Sequence, residues 1–86
     1  MYSIRLTRTA ESSYIWLQKH NRKLFERIKA VFELLEQDPF QGKDLKWNLK
    51  GKYSYRVGSY RIIYAVEKNR LVVYVLDIGH RKEIYR

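Results

Sequence analysis

The chain has 86 residues, 45% hydrophobic and 15% aromatic, enough apolar side chain for one small core and too much for a disordered chain. It has no cysteine, which excludes disulfides and thiolate metal sites and fits a reducing compartment. No apolar run nears the roughly 20 residues of a membrane helix, and the opening MYSIRLTRT lacks an apolar signal core, so a cytoplasmic protein without a membrane role is expected.

The net charge is +9, and it is unevenly placed. Residues 1–42 hold seven Lys/Arg against five Asp/Glu, net +2; residues 43–86 hold eleven against four, net +7. A basic half of this kind points to an anionic partner, of which nucleic acid, a membrane surface and an acidic protein are the candidates.

In chain order, Tyr2–Thr7 alternates apolar and polar residues and predicts a half-buried strand. Thr9 is placed to cap a first helix, with Glu11 in its first turn and Ala10, Tyr14 and Leu17 on one face. The pattern breaks at His20-Asn21, and Asn21 is a second cap. Leu24, Ile28, Val31 and Leu35 then line one face of a second helix, supported by Phe25, Phe32 and Leu34. Asp38-Pro39 ends it, because the residue before proline avoids helical backbone. Phe40–Asp44 reads as a loop, and Leu45–Lys52 leads into three strands, Tyr53–Val57, Tyr60–Val66 and Leu71–Ile78, with Lys68-Asn69 as the second turn. The fold class expected over residues 1–86, as one domain, is α+β. An N-terminal strand and a two-helix hairpin precede a three-stranded antiparallel meander, with the helices on one face of a small, mostly antiparallel sheet.

Within YRVGSYR, Gly58-Ser59 is a two-residue hairpin signal, and glycine at the first central position suits a type II′ turn. Val57 then faces Tyr60, and Arg56 faces Arg61. Alternation places Lys52, Ser54, Arg56 and Arg61 on one face. Like charges directly opposite are destabilising, so stability alone does not choose this pair. One reading is an anion site, since guanidinium binds phosphate bidentately and stays charged. The other is two solvated arginines, each paired with a nearby acid such as Glu67 or Asp77.

The chain closes with GHRKEIYR. Gly79 is expected to turn the chain so that Arg81 and Tyr85, with His80 beside them, swing over the arginine face. Several cations and a phenol, with neither a paired-carboxylate set nor a metal-ligand set, suit phosphate chemistry on RNA with no metal and no cofactor. RNA's own 2′-hydroxyl serves as nucleophile, and the protein aligns it and stabilises developing charge. His80 is a candidate acid or base or a structural strand-end residue. Lys43, Lys46, Lys50 and Lys52 either contact ribosomal RNA backbone or solvate the loop. Trp16 and Trp47 read as core or rim residues, with base stacking open to Trp47.

The order of elements, the YRVGSYRIIY hairpin and the closing GHRKEIY together resemble the RelE/ParE toxin superfamily, on the RelE side, over nearly the whole chain. The resemblance implies a RelE-like fold and a small basic endoribonuclease that enters the ribosomal A site and cuts mRNA. It implies neutralisation by a cognate RelB-like antitoxin, with the toxin monomeric when alone and heteromeric in that complex. By motif, Arg61 corresponds to the arginine that holds the scissile phosphate, and Arg81 to the tail arginine that protonates or stabilises the leaving group. Tyr85 corresponds to the tyrosine that orients or deprotonates the 2′-hydroxyl, and Arg56 to a basic position of the hairpin's first strand. Lys46, Lys50, Lys52, His80 and Lys82 are the accompanying RNA-binding candidates. Ser54 departs from a lysine carried by some members, with Lys52 as a compensating candidate, and the Arg81–Tyr85 spacing is short. Two alternatives stand beside this reading: a ParE-like toxin that inhibits gyrase without cutting RNA, and a basic RNA-binding domain without catalysis.

Overall fold

The computed structural model describes residues 1–45 and 51–80. The elements in chain order are β1 (Ser3–Leu6), α1 (Arg8–His20), α2 (Arg22–Gln37), a 3₁₀ turn (Pro39–Gln41), β2 (Lys43–Asp44), β3 (Lys52–Val57), β4 (Tyr60–Glu67) and β5 (Val72–His80). The strands form one sheet in the order β1-β5-β4-β3-β2, antiparallel except for the β1–β5 pair. The expected α+β layering is therefore present, with one more strand, β2, than the sequence pattern predicted.

The first helix begins two residues earlier than expected, at Arg8. Thr7, not Thr9, caps it: its hydroxyl accepts from the Ala10 amide at 3.2 Å and donates to the Leu76 carbonyl on β5 at 2.9 Å. That second bond, 69 residues away in sequence, settles the choice between two threonines with similar local signals. Asn21 caps α2 as expected, accepting from Leu24 N at 3.2 Å.

Both helices lie on one face of the sheet. Ala10 and Leu17 of α1 and Leu24, Phe25, Ile28, Phe32 and Leu35 of α2 meet Val57, Ile62, Tyr64, Val73, Val75 and Ile78 from the strands. Tyr14 joins the helices, with its ring 4.6 Å from Phe25 and 5.2 Å from Phe32, and burial raises its phenol pKa. Leu34, counted with the apolar face from the sequence, is exposed, because it sits beyond the edge of the stripe that Leu24, Ile28 and Leu35 bury.

Two strand ends differ from expectation. Leu71 is not in β5 but in the turn after β4, exposed and with a left-handed backbone (φ 53°). Its carbonyl accepts from Ser3 N at 2.9 Å and so anchors β1 alongside β5. At the other end, Gly79 and His80 continue the strand instead of turning, paired with Arg61 and Tyr60.

Between these ends β5 carries a bulge. Ile63 pairs with Asp77 and Tyr64 with Val75, so Leu76 is an extra residue, and its carbonyl is the one Thr7 engages. The bulge shifts the alternation by one. Val73 and Val75 face the helices before it, and Ile78 faces them after it.

Candidate functional site

The site begins with the β3–β4 hairpin. Gly58 has φ 61°, the left-handed backbone a type II′ turn demands at its first central position. The resulting register pairs Val57 with Tyr60 and Arg56 with Arg61, as the sequence predicts. Tyr53, Tyr55 and Val57 pack toward the helices, so Lys52, Ser54 and Arg56 point to the other face, and Arg61 joins them from β4.

Each arginine of the pair is held by a specific bond. Arg61 donates from Nη1 to Ser54 Oγ at 3.0 Å, and Ser54 is itself buried. Arg56 donates from Nε to the Gly58 carbonyl at 3.2 Å, which curls the more exposed arginine toward its own turn. The serine that departs from the expected lysine is therefore the residue that orients Arg61. Among the described residues the ion pair is Arg22 with Glu26 on α2, at 3.1 Å.

Around these arginines lies a cleft of about 380 Å³, lined by Gln41, Gly42, Lys43, Ser54, Tyr55, Arg56 and Arg61. One wall comes from the segment expected to be a loop. Asp38 accepts from Phe40 N at 3.1 Å and from Gln41 Nε2 at 2.8 Å, which winds Pro39–Gln41 into the 3₁₀ turn. The hydroxyl of Tyr64, fully buried in the sheet, then accepts from Gly42 N at 3.0 Å and donates to the Pro39 carbonyl at 2.8 Å. Burial pushes the Tyr64 phenol up to about 12. Gly42 is required here: a Cβ on it would run into the Tyr64 hydroxyl and stand 2.9 Å from the Ser54 carbonyl oxygen.

The remaining candidates separate. Lys52 shares the face of Arg56 and Arg61 but lies at the far end of β3, paired with Ala65, and does not line the cleft. His80 lies on the helix side of the sheet. The bulge at Leu76 turns it there, its ring edge-on to Tyr60 at 5.9 Å, beside a groove of about 300 Å³ walled by Ser12, Ser13, Trp16 and Leu17. His80 is thus on the opposite face from Arg61, against the sequence expectation that it joins the arginine face. Trp16 is exposed at the rim of that groove, its ring tilted against that of His20 at 4.7 Å. Lys46, Trp47, Lys50, Arg81, Lys82 and Tyr85 lie outside the described residues. Lys43, which the sequence places in a loop as a ribosomal RNA contact or a solvating lysine, instead stands in β2 opposite Ser54 and lines the cleft. Its signal was the Gly-Lys-Asp step after Pro39, too short to read as a strand.

Chemically, the cleft offers guanidinium donors fixed beside a hydroxyl and backed by a rigid sheet. That arrangement suits an oxyanion of phosphate geometry.

Known proteins share this chain's pattern over nearly its full length. Residues 4–85 match the family model described as the ParE toxin of type II toxin-antitoxin system, parDE. Toxin RelG of Mycobacterium tuberculosis (strain ATCC 25618 / H37Rv) is 34% identical over 86 residues, covering 99% of this chain and 97% of its own. Toxin YoeB of Synechocystis sp. (strain ATCC 27184 / PCC 6803 / Kazusa) is 32% identical over 75 residues, covering 81% and 87%. Among solved structures, the toxin-antitoxin complex RelBE2 from Mycobacterium tuberculosis contains a chain that superposes with a TM-score of 0.79 at 28% identity, covering 93% of this chain and 98% of that one.

Proposed function

This chain belongs to the ParE toxin family of type II toxin–antitoxin systems, with RelE- and YoeB-type toxins among its relatives, and from that premise we propose that it is an endoribonuclease that cuts mRNA in the ribosomal A site. The observation that carries the reading is the facing pair Arg56 and Arg61, with Arg61 held on Ser54 at 3.0 Å. Like charges opposed across a hairpin cost stability, and an anionic ligand between them reverses that cost.

In the reaction, the 2′-oxygen of one nucleotide attacks the adjacent phosphorus as its proton leaves. A P–O2′ bond forms and the P–O5′ bond breaks. The 5′-oxygen takes up a proton, leaving a 2′,3′-cyclic phosphate and a 5′-hydroxyl. Arg61 binds the non-bridging oxygens, whose charge grows in the pentavalent transition state. Arg56 reinforces that charge from across the hairpin. In this reading Tyr85 orients or deprotonates the 2′-hydroxyl and Arg81 serves the leaving oxygen, roles that follow from the family motif in GHRKEIYR. No metal or cofactor enters these steps.

The partner in the resting cell is an antitoxin of RelB type, matching the RelBE2 complex of the related toxin. It is an acidic, amphipathic segment that orders on binding and neutralises the basic face. The site of action is the cytoplasm, where ribosomes and mRNA are.

Primer extension on an mRNA programmed into ribosomes tests the reading. Purified wild type cuts only when ribosomes are present, and Arg61→Ala and Tyr85→Phe each lower cutting by about 100-fold or more. Absence of cuts by wild type, with supercoiling by gyrase inhibited, would assign the chain to the gyrase-directed branch of the family.

A further inference from the structure

The sequence places Lys43 in a loop, as a ribosomal RNA contact or a solvating lysine, but the structure makes it part of the sheet. β2 is only two residues long, and it pairs Lys43 directly opposite Ser54 and Asp44 opposite Tyr53. Directly opposed residues of an antiparallel pair share a face, with Cβ atoms about 5 Å apart. Lys43 therefore stands on the arginine face, beside the serine that holds Arg61, and it lines the same cleft as Arg56 and Arg61. Arg56 is its diagonal neighbour, roughly 7 Å away by strand geometry. Lys52, by contrast, is four residues from Arg56 along β3, roughly 13 Å.

So short an edge strand has little pairing energy of its own, and its position is set from behind. The Tyr64 hydroxyl bridges Gly42 N and the Pro39 carbonyl, which pins the chain one residue before Lys43 onto the centre of the sheet. Leu45 N continues the ladder to the Lys52 carbonyl at 2.9 Å, which pins the chain two residues after it. Lys43 is held at the backbone on both sides while its ammonium remains exposed. Among the described residues, the nearest acid on its face along the same cross-strand row, Asp77, is three strands away, roughly 14 Å.

We propose that Lys43 is the third phosphate-contacting cation of the Arg56–Arg61 cleft, supplied by the clamped edge strand in the row where Ser54 carries no charge. This rests on the reading of the cleft as an RNA site. Division of labour follows from geometry: Ser54 orients Arg61, and Lys43 adds a mobile ammonium that reaches a non-bridging or flanking phosphate oxygen.

Two measurements test it. The first is fluorescence anisotropy of a short labelled RNA oligonucleotide across a salt series, with wild type, Lys43→Ala, Lys43→Arg, Arg61→Ala and Lys29→Ala, the last on the exposed side of α2. The slope of log affinity against log salt falls by about 0.7–0.9 in Lys43→Ala, as in Arg61→Ala, and stays at the wild-type value in Lys43→Arg and Lys29→Ala. The second is single-turnover cleavage on programmed ribosomes. Lys43→Ala slows cleavage about tenfold or more, and Lys43→Arg restores most of the rate. A Lys43→Ala protein with the slope of Lys29→Ala and wild-type cleavage would overturn the assignment. Wild type that binds the oligonucleotide but never cuts would remove the nuclease reading, and the salt slope would still decide whether Lys43 meets phosphate.

Discussion

Arg56 and Arg61 oppose each other across the hairpin, a like-charge pairing that by itself costs stability. Such like-charge pairs destabilise a sheet by about 0.2–1 kcal/mol. Replacing the more exposed partner therefore separates stability from function. Arg56→Gln is expected to leave the melting temperature unchanged or raise it slightly, while ribosome-dependent cleavage falls by about tenfold. Thermal melts alongside the primer-extension assay check both halves, and a clear loss of stability would mean that the Arg56–Gly58 bond outweighs the repulsion. The pairing itself was legible in the sequence, because a Gly-Ser turn fixes hairpin register. The bond from Arg61 to Ser54 was not, because alternation gives the face of a side chain and not its partner.

At the scale of elements, the chain offers alternatives that local chemistry leaves nearly equal. Thr7 and Thr9 both precede a helical pattern, and the hydrogen bond from Thr7 to the bulged Leu76 carbonyl selects the first. Thr7→Ala is expected to cost about 1–2 kcal/mol, since it removes both the cap and a long-range bond, whereas Thr9→Ala costs a few tenths. Urea melts of the two variants measure this, and equal losses would return the cap to Thr9. The same bulge governs His80. One extra residue in β5 reverses the alternation beyond it, which places His80 among Tyr60 and the Trp16 groove instead of beside the arginines. A bulge has no reliable sequence signature, so neither helix start nor histidine face was readable from the pattern.

Over the whole molecule, β2 to β4 bring Lys43, Lys52, Arg56 and Arg61 to one face of the sheet, which matches the net +7 of residues 43–86. Tyr64 ties that face to the core, and its titration links the fold to pH. Its phenol is raised from 10.0 to about 12 in the folded protein, chiefly by burial. A raised pKa means that the stability it contributes is fully present below about pH 10 and is lost as pH rises toward 12. Tyr64→Phe removes this dependence. The variant is expected to be about 1–3 kcal/mol less stable near neutrality, because Gly42 N and the Pro39 carbonyl lose their partner, and its deficit relative to wild type should narrow between pH 10 and 12. Denaturant melts at pH 7, 10 and 11 decide it, and a constant deficit would place the alkaline transition on another group.

The sequence by itself determined the layers, the two helices, the hairpin register and the sign of the surface. All of these depend on short-range periodicity, on one glycine turn and on counting charges. Tertiary structure decided where residues distant in sequence meet: the Thr7 cap on Leu76, the turn of His80 to the helix face, and the clamp of Pro39 and Gly42 on Tyr64 that delivers Lys43 to the arginine cleft. Each depends on a hydrogen bond or a register shift between elements far apart in the chain. The energy of such a contact exists only once the sheet has brought both partners together, so no local pattern encodes it.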